Sequence, residues 1–262
     1  MLRAVDSRVM LWRAVLVWRI AWTVASLVAV ETIVCGVSAM PVVLAWQWLV
    51  SLAGTNPIVR WTLFSVAIAP SYVVFALCLM VVSPLATRLL RWHTPPDAEL
   101  RIADMDRELL RWVRYAASLH VVRVVAGTLL RGTPLWTSHL RLSGARLGKR
   151  VYVNSLSVSD YNLIECGDDV VIGGAVHLAG HTVEAGIVKT ARVRLGNNVT
   201  IGLGSVIEIG VEIGSDSQVG ALSFVPKYTK LEGGFVYAGA PATRLERYVA
   251  GRPHARGKAE VR

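Results

Sequence analysis

The chain has 262 residues, a net charge of +10 and 53% hydrophobic residues, which is enough for one core with appendages and high for a soluble protein. Its three cysteines, Cys35, Cys78 and Cys166, stand at apolar positions, which excludes a disulfide framework or a cysteine metal cluster.

The first 92 residues predict a membrane hairpin behind a basic lead-in. Residues 1–19 place four arginines among Leu, Val and Trp, as in an interfacial segment. A signal peptide fits less well, because its apolar region would be short and end at a cleavage site. Residues 20–92 then hold two apolar stretches, each longer than the roughly 20 residues that a span needs, joined by the turn "GTNPIVR".

The charge distribution orients this hairpin. Arginine is frequent before the first stretch and after the second, whereas the connecting turn holds only Arg60. Positive residues favour the cytoplasmic side, so both ends of the hairpin are predicted to face the cytoplasm from the inner membrane. Glu31 lies inside the first span, where an ionisable residue is either functional or a structural partner of an interfacial arginine.

Residues 93–141 predict a linker, "HTPPDAE", followed by a basic amphipathic helix from 98 to about 130. Arginines flank its apolar stripe, and we expect it to lie on the membrane surface in contact with lipids. A nucleic-acid helix is disfavoured, because the neighbouring spans already account for the basic charge.

The most regular part of the chain is a six-residue repeat over 195–226. Aliphatic residues recur every six positions without a slip, and glycine follows four of them. This period fits neither a helix nor an alternating strand, and it argues against a β-sandwich. It predicts a parallel β-helix in which three hexads close one triangular coil. The aliphatic positions are Leu195, Ile201, Ile207, Ile213, Val219 and Val225.

The same register begins earlier, so the predicted β-helix domain spans 142–246. It starts at Leu147 and Val153, is interrupted by "NSLSVSDYN", and resumes at Cys166. Residues 184–194 do not fit and are expected to leave the column as a loop. The basic tail, 247–262, is predicted to be disordered.

These repeats resemble the hexapeptide-repeat acyltransferases, which have a left-handed β-helix. Two further features carry the resemblance: His181 stands just before the extruded loop, and the closing "AGAPA" is similar to a "GNPA" motif of that family. The spans, the surface helix, the "GDD" and the His-bearing loop also look like one unit of the membrane-embedded part of ε-poly-lysine-synthetase-type nonribosomal peptide synthetases. This chain departs from them because it has one unit and no adenylation or carrier domain.

The resemblance implies acyl transfer from a thioester, with acyl-CoA or a phosphopantetheine-carrier thioester as donor and no metal. Near pH 7 a neutral imidazole suits the role of base, and His181 is the candidate, with His177 as its rival. Glu184 or Asp160 would orient the imidazole. The resemblance also implies a homotrimer with shared sites, and an acyl-carrier or synthetase partner. Asp160, Tyr161 and Asn162 interrupt the repeat, and they either line the acceptor site or simply turn the chain. Lys227 and the turn with Ala240 and Pro241 match positions that contact coenzyme A in the family, and Arg244 is a candidate to pair with its phosphate.

Two other classes of function stay open. A non-catalytic scaffold for a larger synthetase would use the β-helix as an assembly surface. A zinc hydrolyase of the carbonic-anhydrase type needs three histidines, whereas His177 and His181 are two and His139 precedes the repeats.

Overall fold

A computed structural model describes residues 2–54 and 56–247. The chain forms a long helical hairpin, a set of shorter helices packed along it, and a column of parallel β-strands. The predicted basic tail lies outside the described residues, apart from Arg247 at the end of the last strand. The helices are α1 (Leu2–Ala53), α2 (Pro57–Leu89), α3 (Arg107–Val122), α4 (Thr128–Leu130) and α5 (Pro134–Leu142), and a π-helical turn, Arg123–Gly127, joins α3 to α4.

The hairpin consists of α1 and α2, and it contains both predicted spans. Helix α1 runs without a break through the predicted lead-in, and its 52 residues give a length of about 78 Å. The side chain of Asn56 caps α2 by accepting hydrogen bonds from the backbone N–H groups of Ile58 and Val59. Within the described residues, three helical stretches are long and apolar enough to cross a membrane: Trp12–Leu52, Pro57–Leu89 and Arg107–Leu130.

A proline in α2 creates the attachment point for α5. Pro84 has no N–H, so the carbonyl of Met80, four residues earlier, lacks its helical partner. His139 of α5 fills that place, since its Nδ1–H donates to the Met80 oxygen at 2.9 Å. Burial lowers the pKa of His139 to about 4, so the imidazole is neutral near pH 7. Trp136, fully buried beside it, stacks on the same ring at 5.3 Å.

Helix α3 packs along the hairpin and starts later than the predicted helix did. Residues 99–101 form a short strand instead, because they pair with a strand that leaves the column. Asp106 then caps α3 by accepting from the backbone N–H of Leu109 at 2.7 Å. The contacts of α3 with α1 advance together along both helices, from Ser26 with Arg114 to Glu31 with Ser118. Helices α1 and α3 therefore run side by side in the same direction.

The predicted parallel β-helix is confirmed. Each complete coil contributes one strand to each of three faces, and strands one coil apart pair in parallel without a register slip; the interrupted first coil supplies strands to two faces only. The left-handed sense of the coil stays a prediction. The first face holds β2 (Arg146–Leu147), β4 (Ile164–Cys166), β9 (Val193–Leu195), β12 (Glu212–Ile213) and β15 (Lys230–Leu231). The second face holds β3 (Tyr152–Val153), β5 (Val171–Ile172), β10 (Thr200–Ile201), β13 (Gln218–Val219), β16 (Phe235–Gly239) and the antiparallel β17 (Ala242–Arg247). The third face holds β6 (His177–Leu178), β11 (Val206–Ile207) and β14 (Phe224–Val225).

The interior of the column is the predicted aliphatic stack. All six aliphatic residues of the 195–226 repeat are at most 4% exposed. Leu178, Ile207 and Val225 lie directly above one another on the third face, about 4.8 Å apart as in any paired strands. Cys166 is buried at its hexad position, as predicted. This stack continues into the packing of α2, α3 and α5, so the helices and the column share one hydrophobic core.

The outer surface of the first face carries a ladder of alternating charge. One residue from each of its five strands points outward, and cation and anion alternate from coil to coil at N–O distances of 2.9 to 3.3 Å. Single exposed pairs contribute about 0–1 kcal/mol, but here each inner member bridges two neighbours. The ladder is Arg146, Glu165, Arg194, Glu212 and Lys230.

The extruded loop is a β-hairpin, and its bounds correct the prediction. It comprises β7 (His181–Glu184) and β8 (Ile187–Thr190), joined by Ala185 and Gly186, both with positive φ. It thus leaves the column three residues earlier than expected, and residues 193–195 are already back in the column as β9. The early strand β1 (Glu99–Arg101) adds to β8 and makes a three-stranded sheet.

Candidate functional site

His181 stands where the column gives way to the extruded hairpin. The second coil ends at Leu178, and His181 is the first residue of β7. Its side chain points away from the interior stack and is 29% exposed. The imidazole is therefore held by the fold on one side and open to solvent on the other.

Asp160 orients the imidazole of His181. Its Oδ2 lies 2.5 Å from Nδ1 of His181, and its side chain is only 2% exposed. A carboxylate only accepts hydrogen bonds, so Nδ1 carries the proton and Nε2 keeps a free lone pair. Asp160 has a φ of 50°, a left-handed conformation that Asp and Asn tolerate better than most residues. The interruption of the repeat thus serves to place this carboxylate.

Two residues outside the β-helix complete the carboxylate's surroundings. Oδ1 of Asp160 accepts a hydrogen bond from Thr94 Oγ1 at 2.6 Å and another from Trp112 Nε1 at 3.0 Å. The Trp112 ring also packs edge-on against His181, with ring centres 5.0 Å apart. Both carboxylate oxygens are therefore bonded, which a buried charge requires.

Sequence reasoning missed Thr94 and Trp112. Thr94 falls in the stretch predicted as a linker, and Trp112 counted as part of an apolar helical stripe. The signal for Trp112 was its indole N–H, because a buried tryptophan needs a hydrogen-bond acceptor. Nothing in the local pattern around Thr94 indicates that it is fully buried.

The pair shifts the pKa values of its two members in opposite directions. Burial acts to raise the pKa of Asp160, but the hydrogen bond and charge of His181, with help from Thr94, hold it below its usual range. Burial acts to lower the pKa of His181, and the hydrogen bond and charge of Asp160 outweigh it, so the pKa is raised. The imidazole is therefore a stronger base than a free histidine.

Gly180 makes room for this pair. A Cβ at residue 180 would lie 2.6 Å from the Cβ of Asp160 and 3.2 Å from that of Leu163. Neither of those atoms is at the end of a flexible chain, so any side chain at residue 180 would displace Asp160 from the imidazole.

The other residues of the interruption have structural surroundings. Tyr161 is 1% exposed and packs edge-on against His139, so it contacts the core rather than an open surface. Asn162 is half-buried, and its Nδ2 donates to the Thr94 backbone carbonyl at 2.8 Å while its Oδ1 accepts from the Thr94 N–H at 3.3 Å. Asn162 therefore fixes the segment that carries Thr94.

Glu184 is not placed against the imidazole. It lies at the tip of the extruded hairpin, where it forms an ion pair with Lys227 and a longer one, at 3.6 Å, with Lys189. Both lysines act to lower the pKa of the Glu184 carboxyl, with Lys227 as the main cause. These contacts fix the hairpin against the fourth coil, and they engage one of the residues expected to contact coenzyme A.

The remaining candidates for coenzyme A binding lie at the closing strands. Ala240 and Pro241 form the exposed turn between β16 and β17. Arg244 is exposed on β17, where its guanidinium lies over the Phe235 ring at 4.5 Å and 3.5 Å from Glu232. Arg244 is therefore already partly neutralised.

His177, the rival base, occupies a different surface. It is exposed on the outer side of β6 and lines a shallow pocket with His120 and Arg123. Among the hydrogen bonds of the described residues, none joins His177 to a carboxylate. Nor does any group of three His, Cys, Asp or Glu side chains in the described part of the chain come close enough to hold a metal ion.

Comparisons with known proteins point to one family, although no protein-family model matches the chain. Over 113 residues, 43% of this chain, it is 28% identical to the δ-poly-L-ornithine synthetase of Acinetobacter baumannii. Over 93 residues, 32% of this chain, it is 37% identical to the galactoside O-acetyltransferase of Escherichia coli. The aligned parts span 8% and 46% of those relatives.

The solved structures include a hexapeptide-repeat-containing acetyltransferase of Vibrio cholerae in complex with acetyl coenzyme A. It is 24% identical, with a TM-score of 0.37, and the match covers 40% of this chain and 61% of that one. In its unbroken six-residue register, its parallel coil and its two sequence relatives, this chain is similar to the hexapeptide-repeat acyltransferases.

Proposed function

We propose that the protein transfers an acyl group from a thioester to a hydroxyl or amine acceptor, with His181 as general base and Asp160 as the residue that orients it. The observation that supports this most is the 2.5 Å contact between a buried carboxylate and a half-exposed imidazole. This arrangement leaves Nε2 as the acceptor of a proton, which is what acyl transfer needs.

The proposed donor is an acyl-CoA, and acetyl-CoA is the first to test. The galactoside relative is named as an acetyltransferase, and a solved family structure contains acetyl coenzyme A. A carrier-bound phosphopantetheine thioester is the second donor, because the other relative is a poly-L-ornithine synthetase. Those two relatives support a hydroxyl and an amine acceptor, respectively.

The reaction needs one proton transfer in each direction. The acceptor oxygen or nitrogen attacks the thioester carbonyl carbon as Nε2 of His181 takes its proton. The imidazolium that forms is stabilised by Asp160. The tetrahedral intermediate then collapses, the carbon–sulfur bond breaks, and the proton on Nε2 passes to the leaving thiolate. The products are the acylated acceptor and a free thiol.

We further propose that the protein is anchored in a membrane by α1 and α2 and acts on its cytoplasmic side as a homotrimer. The length and composition of the helices support the anchor, and the scarcity of arginine in the connecting turn supports the orientation. Crosslinking of the detergent-solubilised protein tests the trimer, and a ladder that stops at two copies would contradict it.

The function is tested by following free thiol with the purified full-length protein. Acetyl-CoA is offered with a panel of amines, such as ornithine, and a panel of galactosides. We expect thiol release that depends on an acceptor, together with a product heavier by one acetyl group in mass spectrometry. Release no faster than in buffer, for both CoA and carrier-bound thioesters, would contradict the proposal.

Asp160→Asn is expected to lower kcat by about 10²–10³-fold with little change in KM. Thr94 and Trp112 both donate to the Asp160 oxygen, so the Asn oxygen would face them and its NH₂ would face His181. Nδ1 of His181 would then accept a hydrogen bond rather than donate one, and Nε2 would carry the proton and be unable to act as base. Asn also tolerates the backbone conformation at this position.

The pH profile separates this role from a structural one. In the wild type the raised pKa of His181 places the acid limb of kcat/KM above about 6.5, the usual histidine value, and activity falls as pH drops through it. Asp160→Asn removes the charge that raises the pKa, so the limb should move to lower pH. A profile with the same midpoint in both proteins would contradict the assignment of Asp160.

A further inference from the structure

A pocket of about 470 Å³ lies between α1, α3 and the segment after α2, away from the His181 site. Arg107, Leu110, Arg111 and Arg114 line it from α3, and their spacing of three and four puts them on one helical face. From α1 it is lined over 18–30, and Leu90, Trp92 and Met105 close it.

The charge of the pocket is positive throughout. It contains four arginines, and none of the described residues that line it is acidic. Glu108, outside the pocket, pairs with Arg111 at 2.7 Å and offsets part of that charge. Arg19 donates to the Met105 carbonyl at 3.2 Å, and Arg114 donates to Ser26 Oγ at 2.9 Å. These neutral partners hold two guanidinium groups in place without cancelling their charge.

The walls of the pocket are aromatic and apolar. Trp18 and Trp22 stack on each other with ring centres 6.3 Å apart, and both are mostly exposed. Trp92 lies beneath the guanidinium of Arg114 at 5.9 Å. Val30 continues the lining along α1 in the direction of the connecting turn of the hairpin. The pocket therefore has a charged end next to an apolar end, an arrangement that arginine and tryptophan side chains also form at a membrane interface.

We propose that this pocket binds the phosphate headgroup of a membrane lipid. The inference rests on the proposed insertion of α1 and α2 in a membrane, but not on acyl transfer. Guanidinium groups are suited to phosphate oxygens, which they bind through paired N–H donors. A lipid fits better than free phosphate, because Trp18, Trp22 and Val30 offer apolar surface that an inorganic ion would leave unused.

The test measures lipid binding to the full-length protein in a zwitterionic detergent. A fluorescent short-chain phosphatidylglycerol is titrated into the wild type and into Arg107→Gln/Arg111→Gln, which leaves the two anchored arginines intact. The double variant should bind at least about tenfold more weakly, since it loses two charge-assisted contacts. Binding to the wild type should also weaken as salt is raised.

The control is Arg101→Gln/Arg131→Gln, which loses the same charge at exposed positions outside the pocket. It should bind the lipid as the wild type does. Equal affinity in the two double variants would overturn the site. Competition by inorganic phosphate or glycerol phosphate as strong as that by unlabelled lipid would show a free-phosphate site and overturn the lipid assignment. Because turnover is not measured, a failure of the acyl-transfer proposal would leave these outcomes unchanged.

Discussion

His181→Ala is expected to lower kcat by about 10³–10⁴-fold, with a small effect on KM. The variant removes the proposed base, an imidazole whose Nδ1 is fixed by a buried carboxylate. The folded column should survive, since His181 lies outside the interior stack and is partly exposed. Steady-state release of free thiol at saturating donor and acceptor measures the effect.

The matched control is His177→Ala, which removes an exposed histidine four residues earlier that does not contact Asp160. We expect it to keep wild-type activity within about twofold, because surface substitutions have small effects. The double variant should then equal His181→Ala. Full activity in the double variant would rule out both histidines as the base.

Trp136→Ala is expected to cost about 3–5 kcal/mol of stability, the usual loss for a buried large aromatic residue. Trp136 is fully buried where α5 meets the column, stacks on His139, and donates its Nε1–H to the Ser155 carbonyl at 3.3 Å. Its removal would leave a cavity between the helices and the first coil, together with an unpaired carbonyl. Thermal unfolding in detergent, followed by circular dichroism, should show a markedly lower Tm.

Trp48→Ala is the control for this change, because Trp48 is 62% exposed on α1. We expect its Tm to lie close to that of the wild type. If the two tryptophan variants unfolded at the same temperature, the helices and the column would not share the single core described above.

The β-helix could be predicted in detail because its signal is local and repeated. Each hexad has an aliphatic residue at the same position, so inward-facing residues such as Ile201 and Val219 can be recognised without knowledge of distant contacts. The extruded segment was located only approximately. The hairpin begins at His181, where the hexad pattern is still regular, so the sequence does not show that the chain leaves the column there.

The candidate site could be predicted only in part, because its members come from three separate segments. His181 and Asp160 both lie at breaks in the repeat, which drew attention to them. Thr94 and Trp112 are 66 and 48 residues from Asp160, and their local patterns fit a linker and a helix face. The packing of α3 and of the segment after α2 against the column shows that these two parts supply two of the three hydrogen bonds described for the carboxylate.

The missing backbone donor at Pro84 has an effect that reaches beyond α2. The carbonyl that Pro84 leaves without a helical partner is the one that His139 bonds, so this contact fixes the height at which α5 meets the hairpin. Moving the proline by one turn would offer the same bond about 5.4 Å away. Pro84, which belongs to neither the column nor the candidate site, thus helps to set how far the His181 imidazole would stand from the proposed membrane.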